Sequence, residues 1–369
     1  MSSNSFSFPT LECPAPRLSL DDAQQAASAW FSDVVDLECL DSERDQNFLA
    51  TNKKQQQYVL KIANSKESFD VLDFQNQALN YLLQSSPSLL LPRVCQDLSG
   101  KEISSIVVNN NKHYVRLLSF IKGVLLEDLV LGTLGWGASQ AHPDVLRRMM
   151  GEFLAKLGKG LEDFSHPSSG HELLWDVKQA GSLYHLLSHI KDKHKRDIAR
   201  TSLERFTKNT EPIIQQLRSQ VIHNDMNQSN VILDFNQDGL VIGMIDFGDM
   251  VYAPLVNDLA VAAAYQTVAT EDLVQGTVHL LLGYQKEYPL NENELALLPA
   301  LITNRITMTV IIGEWRGAQH PENKQYILGG VEKSWRILEE LCRLNLESAA
   351  ETFIKKAQSI NLEHGRKNK

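Results

Sequence analysis

The sequence predicts an α+β fold of two lobes, a small one built on an antiparallel sheet followed by a larger, mainly helical one. Three observations carry that expectation. Short β-prone runs joined by polar turns fill the stretch from Val34 to Phe120. From Asp144 onward, apolar residues recur mainly at helical spacing. One hairpin interrupts the helical half, its apolar runs Val231–Leu233 and Leu240–Ile245 flanking a turn rich in Asn, Asp and Gly. The expected divisions are 1–33 for an N-terminal arm and helix, 34–118 for the small lobe and 119–369 for the large lobe, with a hinge at Leu117–Lys122.

Taken in order, Met1–Arg17 reads as a loose arm, because Pro9, Pro14 and Pro16 discourage regular structure. Ser19, with Asp22 three residues on, is a helix start, and Ala26, Ala27, Trp30 and Phe31 give the helix an apolar face. Val34–Leu40, Gln46–Thr51 and Gln57–Ile62 read as strands, the first two joined by the polar link Asp41–Asp45. Ser65 and Lys66 lead into a helix over about Glu67–Leu83, on which Phe69, Leu72, Leu79 and Leu82 share a face. Leu89–Gln96, Glu102–Val108 and His113–Phe120 complete the strands of the small lobe. In the large lobe Asp144–Phe164 has the strongest helical pattern, closed by His166 and Pro167. Further helices are expected at Gly181–Ile190, Lys195–Leu217, Leu255–Val268, Thr270–Glu287, Glu292–Gly313, Gln325–Leu346 and Ser348–Ile360. Lys355–Lys369 ends polar and basic, as a solvated tail does.

The bulk properties exclude several classes. At 369 residues, 43% hydrophobic and 22% charged, the chain can bury a large core and is not disordered throughout. A net charge of −9 argues against nucleic acid as the main partner and is compatible with a cationic small substrate. Cys13, Cys39, Cys95 and Cys342 are scattered without metal-ligand spacing, as reduced thiols of a cytoplasmic protein would be. Met1–Thr10 lacks the basic start and apolar core of a signal peptide. No uninterrupted apolar run approaches the roughly 20 residues of a membrane helix, so no membrane partner is expected.

The hairpin gathers the chemistry. Asp225 and Asn230 precede its first strand and Asp246 follows its second, which places all three at one end. Phosphoryl transfer needs such a group, to hold metal and phosphates and to orient the acceptor hydroxyl. His223, Asp225 and Asn230 fit H-x-D-x-x-x-x-N, and Asp246-Phe247-Gly248 fits D-F-G; these resemble the catalytic and metal loops of kinases. Asp225 is then the candidate catalytic base, or the group that orients the hydroxyl. Asn230 and Asp246 are oxygen ligands suited to Mg²⁺. His223 is expected to brace the loop, Phe247 to pack beneath the site, and Gly248 to permit a sharp turn. Asp249 is either a carboxylate near the metal or a turn residue. Asp258 either bonds the backbone of the catalytic loop or caps its own helix.

Lys61 ends a V-L-K-I strand that could aim its ammonium at the α- and β-phosphates. In kinases the next helix supplies a Glu to that lysine, and here the matching register gives Gln75, with Glu67, Asp70 and Asp73 nearby. The loop Ser42–Phe48 stands where a phosphate-covering loop would, but it has no glycine, so the Ser42 hydroxyl and nearby backbone amides are the candidate contacts. Arg305, Glu314 and Arg316 are candidate acceptor contacts, set against the ordinary alternative that polar helix residues face solvent.

With these residues in hand, the chain resembles the aminoglycoside phosphotransferase and choline kinase-like superfamily, from about Val34 to Leu346. The resemblance is carried by H-N-D-x-x-x-x-N at His223–Asn230, I-D-F-G-D at Ile245–Asp249 and P-L-V-N-D-L-A-V-A from Pro254. E-R-D-Q-N-F at Glu43–Phe48, Y-V-L-K-I-A-N at Tyr58–Asn64, F-Q-N-Q-A-L at Phe74–Leu79 and D-F-G-D-M at Asp246–Met250 are similar to the hydroxylysine kinase family and related bacterial kinases. The resemblance implies a protein-kinase-like bilobal fold with a nucleoside triphosphate in the cleft, Mg²⁺, and GTP or ATP as donor. It further implies γ-phosphoryl transfer to a hydroxyl of a small amino alcohol, with 5-hydroxylysine the favoured acceptor. Two rivals stand beside this reading. One keeps the chemistry and changes the acceptor to homoserine, ethanolamine, choline or an aminoglycoside. The other is a pseudokinase-like regulatory protein, which Gln75 and the glycine-free loop favour and which Lys61, Asp225, Asn230 and Asp246 together oppose.

Overall fold

The computed structural model describes residues 15–42, 44–130, 142–236, 239–319 and 324–367. The arm expected over Met1–Arg17 lies outside the described residues as far as residue 14, as do Cys13, Glu43, the hairpin tip at 237–238 and the end of the tail at 368–369.

Ser19 and Asp22 cap helix α1 (Leu20–Ala27) reciprocally, each side chain accepting the other's backbone N–H at 3.0–3.1 Å. Ala23, Ala26 and Ala27 of α1, with Trp30, pack on Phe48, Ala50, Leu60, Ile62, Val115 and Leu117 of the first sheet. That sheet runs β1 (Asp36–Leu40), β2 (Gln46–Thr51), β3 (Gln57–Ile62), β6 (Asn111–Ser119), β4 (Val94–Cys95), with β5 (Ser104–Val108) also on β6. Every pairing in it is antiparallel, as expected. The strand expected over Leu89–Gln96 shrinks to Val94–Cys95. Pro92 has no N–H to give a ladder, and Leu89 and Leu91 pack instead on the core of the large lobe. Helix α2 (Phe69–Ser85) joins the halves: Leu72 packs with Ala63 and Ile103, while Phe74, Ala78, Leu79 and Leu82 enter the main core.

Past Ser119 the chain crosses at Gly123, where φ is +149° and a Cβ would lie 2.5 Å from Ile232 and 2.8 Å from the Leu233 carbonyl. Only glycine fits so close an approach. Strand β7 (Val124–Leu125) then pairs with the expected hairpin, β9 (Val231–Asn236) against β10 (Gly239–Met244). A second pairing was not foreseen: β8 (Ser219–Ile222) with β11 (Val251–Pro254). It clamps both ends of the motif-bearing stretch.

The helices are α3 (Leu126–Val130), α4 (Pro143–Gly160), α5 (Lys193–Asn209), α6 (Glu211–Ile214), α7 (Leu255–Thr270), α8 (Leu273–Glu287), α9 (Glu292–Gln319), α10 (Lys324–Arg343) and α11 (Leu346–Lys367). Where one helix was expected over Lys195–Leu217, the chain breaks at Thr210, ahead of Pro212. The segment containing Gly181–Ile190 is a 3₁₀ helix over Val177–His189. The tail expected to be solvated from Lys355 is helical to Lys367, with Ala357 in the core. Helix α9 is apolar and long enough to cross a membrane, but 78% of its most apolar window is buried within the protein, as for the central helix of a lobe.

Candidate active site

The catalytic loop leaves β8 at Ile222 and is fixed from below. Asn224 sits at φ +65°, a left-handed conformation that its short polar side chain tolerates better than most, which gives H-N-D a backbone reason. Asp258, in the first turn of α7 and fully buried, accepts the backbone N–H groups of Asn224 at 2.8 Å and His223 at 3.4 Å. It therefore supports the loop from outside its own helix. His223 is buried, accepts the Asp225 N–H at 3.3 Å through Nδ1, and meets the Phe247 ring edge-on at 4.7 Å. Burial pushes its imidazole down to about 4, so it braces the loop in the neutral form.

Replacing Asp258 by Ala strands two buried N–H groups, at about 1–3 kcal/mol each. Unfolding experiments should show a loss of about 2–6 kcal/mol together with lost activity; an unchanged midpoint would return Asp258 to a local cap. Burial pushes the Asp258 carboxyl up to about 6, against the pull of these two bonds. A carboxyl raised on folding stabilises most when protonated. Its share of stability is thus full below about 4, the unfolded value, and is lost as pH rises through 6. Asp258→Asn should flatten that limb of the stability profile.

Asp225 is held by four groups. Its Oδ2 accepts from Asn230 Nδ2 at 2.8 Å and Asn227 Nδ2 at 3.0 Å; its Oδ1 accepts from the Tyr265 hydroxyl at 3.3 Å and lies 3.6 Å from Arg305 Nη2. The looser contacts leave Oδ1 the more open to an incoming hydroxyl. Burial first, then the Asp249 charge, pushes the Asp225 carboxyl up to about 7, with Arg305 opposing. Because the Asn230 amide nitrogen is spent on Asp225, its amide oxygen is the atom left for a metal.

Asp246 is the second ligand expected. It sits at φ +57°, strained for a carboxylate residue, and is steadied by Lys61 Nζ at 3.3 Å and the Gly248 N–H at 3.2 Å, both on Oδ1. Lys61, the largest influence, holds this carboxyl well below the usual range. Among the described residues no group of three His, Cys, Asp or Glu could hold an ion alone. Two side-chain oxygens beside a lysine still fit Mg²⁺, an ion that completes its shell with phosphates and water.

Several expectations need correction. Lys61 pairs with Asp246, and among the described residues no hydrogen bond joins it to Gln75, which is buried. The buried polar contact between α2 and the sheet lies one residue on, from Arg116 Nη1 to Asn76 Oδ1 at 3.1 Å and Leu72 O at 3.4 Å. Arg116 is directly opposite Lys61 in the ladder. Gly248 does not have a positive φ. An added Cβ would lie 2.8 Å from the tip of the flexible Arg44 side chain and 3.1 Å from Asp246 Oδ1, so the position is tight without requiring glycine. Asp249 is no mere turn residue, since Arg44 Nη2 reaches its Oδ1 at 2.7 Å. Ser42 is exposed, and the contact this loop makes across the cleft is that of Arg44.

On α9, Arg305 is 2% exposed and committed: Nη1 donates to Trp175 O at 3.0 Å, Nη2 to the Tyr265 hydroxyl at 3.2 Å, and the guanidinium lies 4.6 Å from the Trp175 ring centre. It serves the base and is not an open clamp for an acceptor carboxylate. Glu314 follows nine residues later, about 180° around the helix, where it accepts the Trp335 indole N–H at 3.2 Å, away from Asp225. Arg316 returns to the Arg305 face but lies about 16 Å along the axis. Arg44, Trp175 and Tyr265 were missed. For Tyr265 a signal existed, because it lies seven residues after Asp258 and so on the same helical face.

This combination, a carboxylate bonded to an amide across from a lysine–carboxylate pair, is the arrangement that a nucleotide-dependent phosphotransferase site requires. The sequence matches the APH family, described as "Phosphotransferase enzyme family", over residues 37–290, well over half of the chain, and the protein belongs to that family. Hydroxylysine kinase of Mus musculus is 24% identical over 353 residues, covering 89% of this chain and 90% of that protein. Among solved structures, amicoumacin kinase in complex with AMP-PNP, Ca²⁺ and Ami has a TM-score of 0.66 at 14% identity, covering 89% of this chain and 96% of that one. A microcompartment-associated aminopropanol kinase has a TM-score of 0.59 at 16% identity, covering 92% and 98%. At these identities the structures show a shared fold.

Proposed function

We propose that the protein is a small-molecule kinase that transfers the γ-phosphoryl group of GTP or ATP to a hydroxyl of an amino alcohol, with 5-hydroxylysine the favoured acceptor. One observation carries the reading: the Asp225 carboxylate and the Asn230 amide are bonded at 2.8 Å, with the Lys61–Asp246 pair held at 3.3 Å in the same site. Asn230 and Asp246 would hold Mg²⁺, which would supply positive charge to offset that of the donor phosphates. Asp225 would accept or orient the acceptor's hydroxyl proton, Arg305 and Tyr265 would keep that carboxylate aimed, and Lys61 would move from Asp246 to the phosphates.

The acceptor class is supported by the likeness to hydroxylysine kinase. A net charge of −9 and the free thiols of Cys39, Cys95 and Cys342 accord with a cytoplasmic enzyme whose partners are small molecules. The regulatory rival drew on Gln75, and that support weakens because Lys61 has Asp246.

The test is turnover with Mg²⁺ and each nucleotide across a panel of acceptors. We expect kcat/KM for 5-hydroxylysine to exceed that for ethanolamine or choline by about tenfold or more, as losing contacts to a charged acceptor end costs. Faster turnover of choline or ethanolamine would sink the acceptor assignment and leave the phosphotransfer intact.

A further inference from the structure

The cleft is zipped by its own charges. Two cations of the small lobe, Arg44 and Lys61, meet two carboxylates of the large lobe, Asp249 at 2.7 Å and Asp246 at 3.3 Å. Arg44 belongs to the link between β1 and β2, where a phosphate-covering loop would lie, and its guanidinium packs against Gly248. Asp249 lies one residue beyond the D-F-G triplet, so Arg44 is held against the same loop that carries Asp246. A planar guanidinium with five donors suits phosphate oxygens as well as it suits the carboxylate it now holds.

We infer that Arg44 is a binding residue for the terminal phosphate of the donor, held on Asp249 until the metal–nucleotide takes its place, and that it supplies the contact a glycine-rich loop would otherwise make. The inference rests on the phosphotransferase reading and is independent of the acceptor. The same four charges are used twice. Before loading, the cations neutralise the carboxylates; after loading, the carboxylates face the metal and the cations face phosphate oxygens. This also accounts for a loop without glycine, since a side chain reaches where backbone amides would otherwise have to approach.

The test is Arg44→Gln alongside Arg44→Lys, with three readouts. Calorimetry with a non-hydrolysable triphosphate analogue should show affinity falling about tenfold or more in Arg44→Gln, while the diphosphate stays within about threefold. Mn²⁺ alone should bind the nucleotide-free Arg44→Gln protein more tightly than wild type, because Asp249 is released. Turnover at saturating donor should fall about 10²–10³-fold, short of the 10³–10⁵ attributed to arginine fingers. Arg44→Lys, which keeps charge without the fork, should lie between and also serves if the glutamine variant fails to fold. Equal loss of affinity for di- and triphosphate, or weaker Mn²⁺ binding in the variants, would make Arg44 a lobe latch only and overturn the inference.

Discussion

Asp225→Asn is expected to slow phosphoryl transfer about 10³-fold, within the range for loss of a general base, while metal–nucleotide affinity stays within a few-fold. The geometry confines the change to one side of the carboxyl. The amide nitrogens of Asn227 and Asn230 approach one oxygen, at 3.0 and 2.8 Å, and an asparagine oxygen can still accept from both. The other position, facing Tyr265 and Arg305, becomes an NH₂ group that cannot take a proton. Turnover is measured in single-turnover mode and affinity by calorimetry. Wild-type turnover in this variant would remove Asp225 from the mechanism.

Asp246→Ala is expected to abolish productive binding of the metal–nucleotide rather than to slow chemistry alone. Its carboxylate is the partner of Lys61 and the closest charge to the expected metal position, so the variant loses one of the expected protein ligands. Asn230→Ala should act in the same direction more weakly, with an added effect on Asp225, whose Oδ2 loses its 2.8 Å donor. Unaltered affinity for the metal–nucleotide in Asp246→Ala would mean that the D-F-G loop does not hold metal.

Much of the site was legible because its parts are close in sequence. His223, Asp225, Asn230 and Asp246 lie within one hairpin and its flanks, and a hairpin brings its two ends together whatever the rest of the chain does. The contacts that escaped notice join distant segments: Arg44 to Asp249, and Trp175 and Tyr265 to Arg305. No spacing rule reports such meetings, although the seven-residue step from Asp258 marks the helical face of Tyr265. Arg305 was singled out for the right place and the wrong partner, since a buried arginine beside a buried carboxylate is spent before substrate arrives. Helical geometry alone could have separated Glu314 from Arg305, because nine residues carry a side chain to the opposite face.

The strands of the small lobe were legible from their alternation, and β8 and β11 were not. Each is only four residues long, and each is buried or half-buried except at Tyr252, so neither shows a two-residue period. Leu89–Gln96 misled in the opposite direction, since an apolar run can serve a neighbouring core without joining a ladder.

The central claim, phosphoryl transfer to a hydroxyl by the Asp225 site, is tested most directly by the identity of the product. Wild-type protein is incubated with Mg²⁺, GTP or ATP and 5-hydroxylysine, and the products are followed by phosphorus NMR. The account predicts a new phosphate monoester on the side-chain hydroxyl, formed in step with nucleoside diphosphate and nearly absent with Asp225→Asn. Release of inorganic phosphate without an ester, or an ester formed equally well by Asp225→Asn, would contradict it.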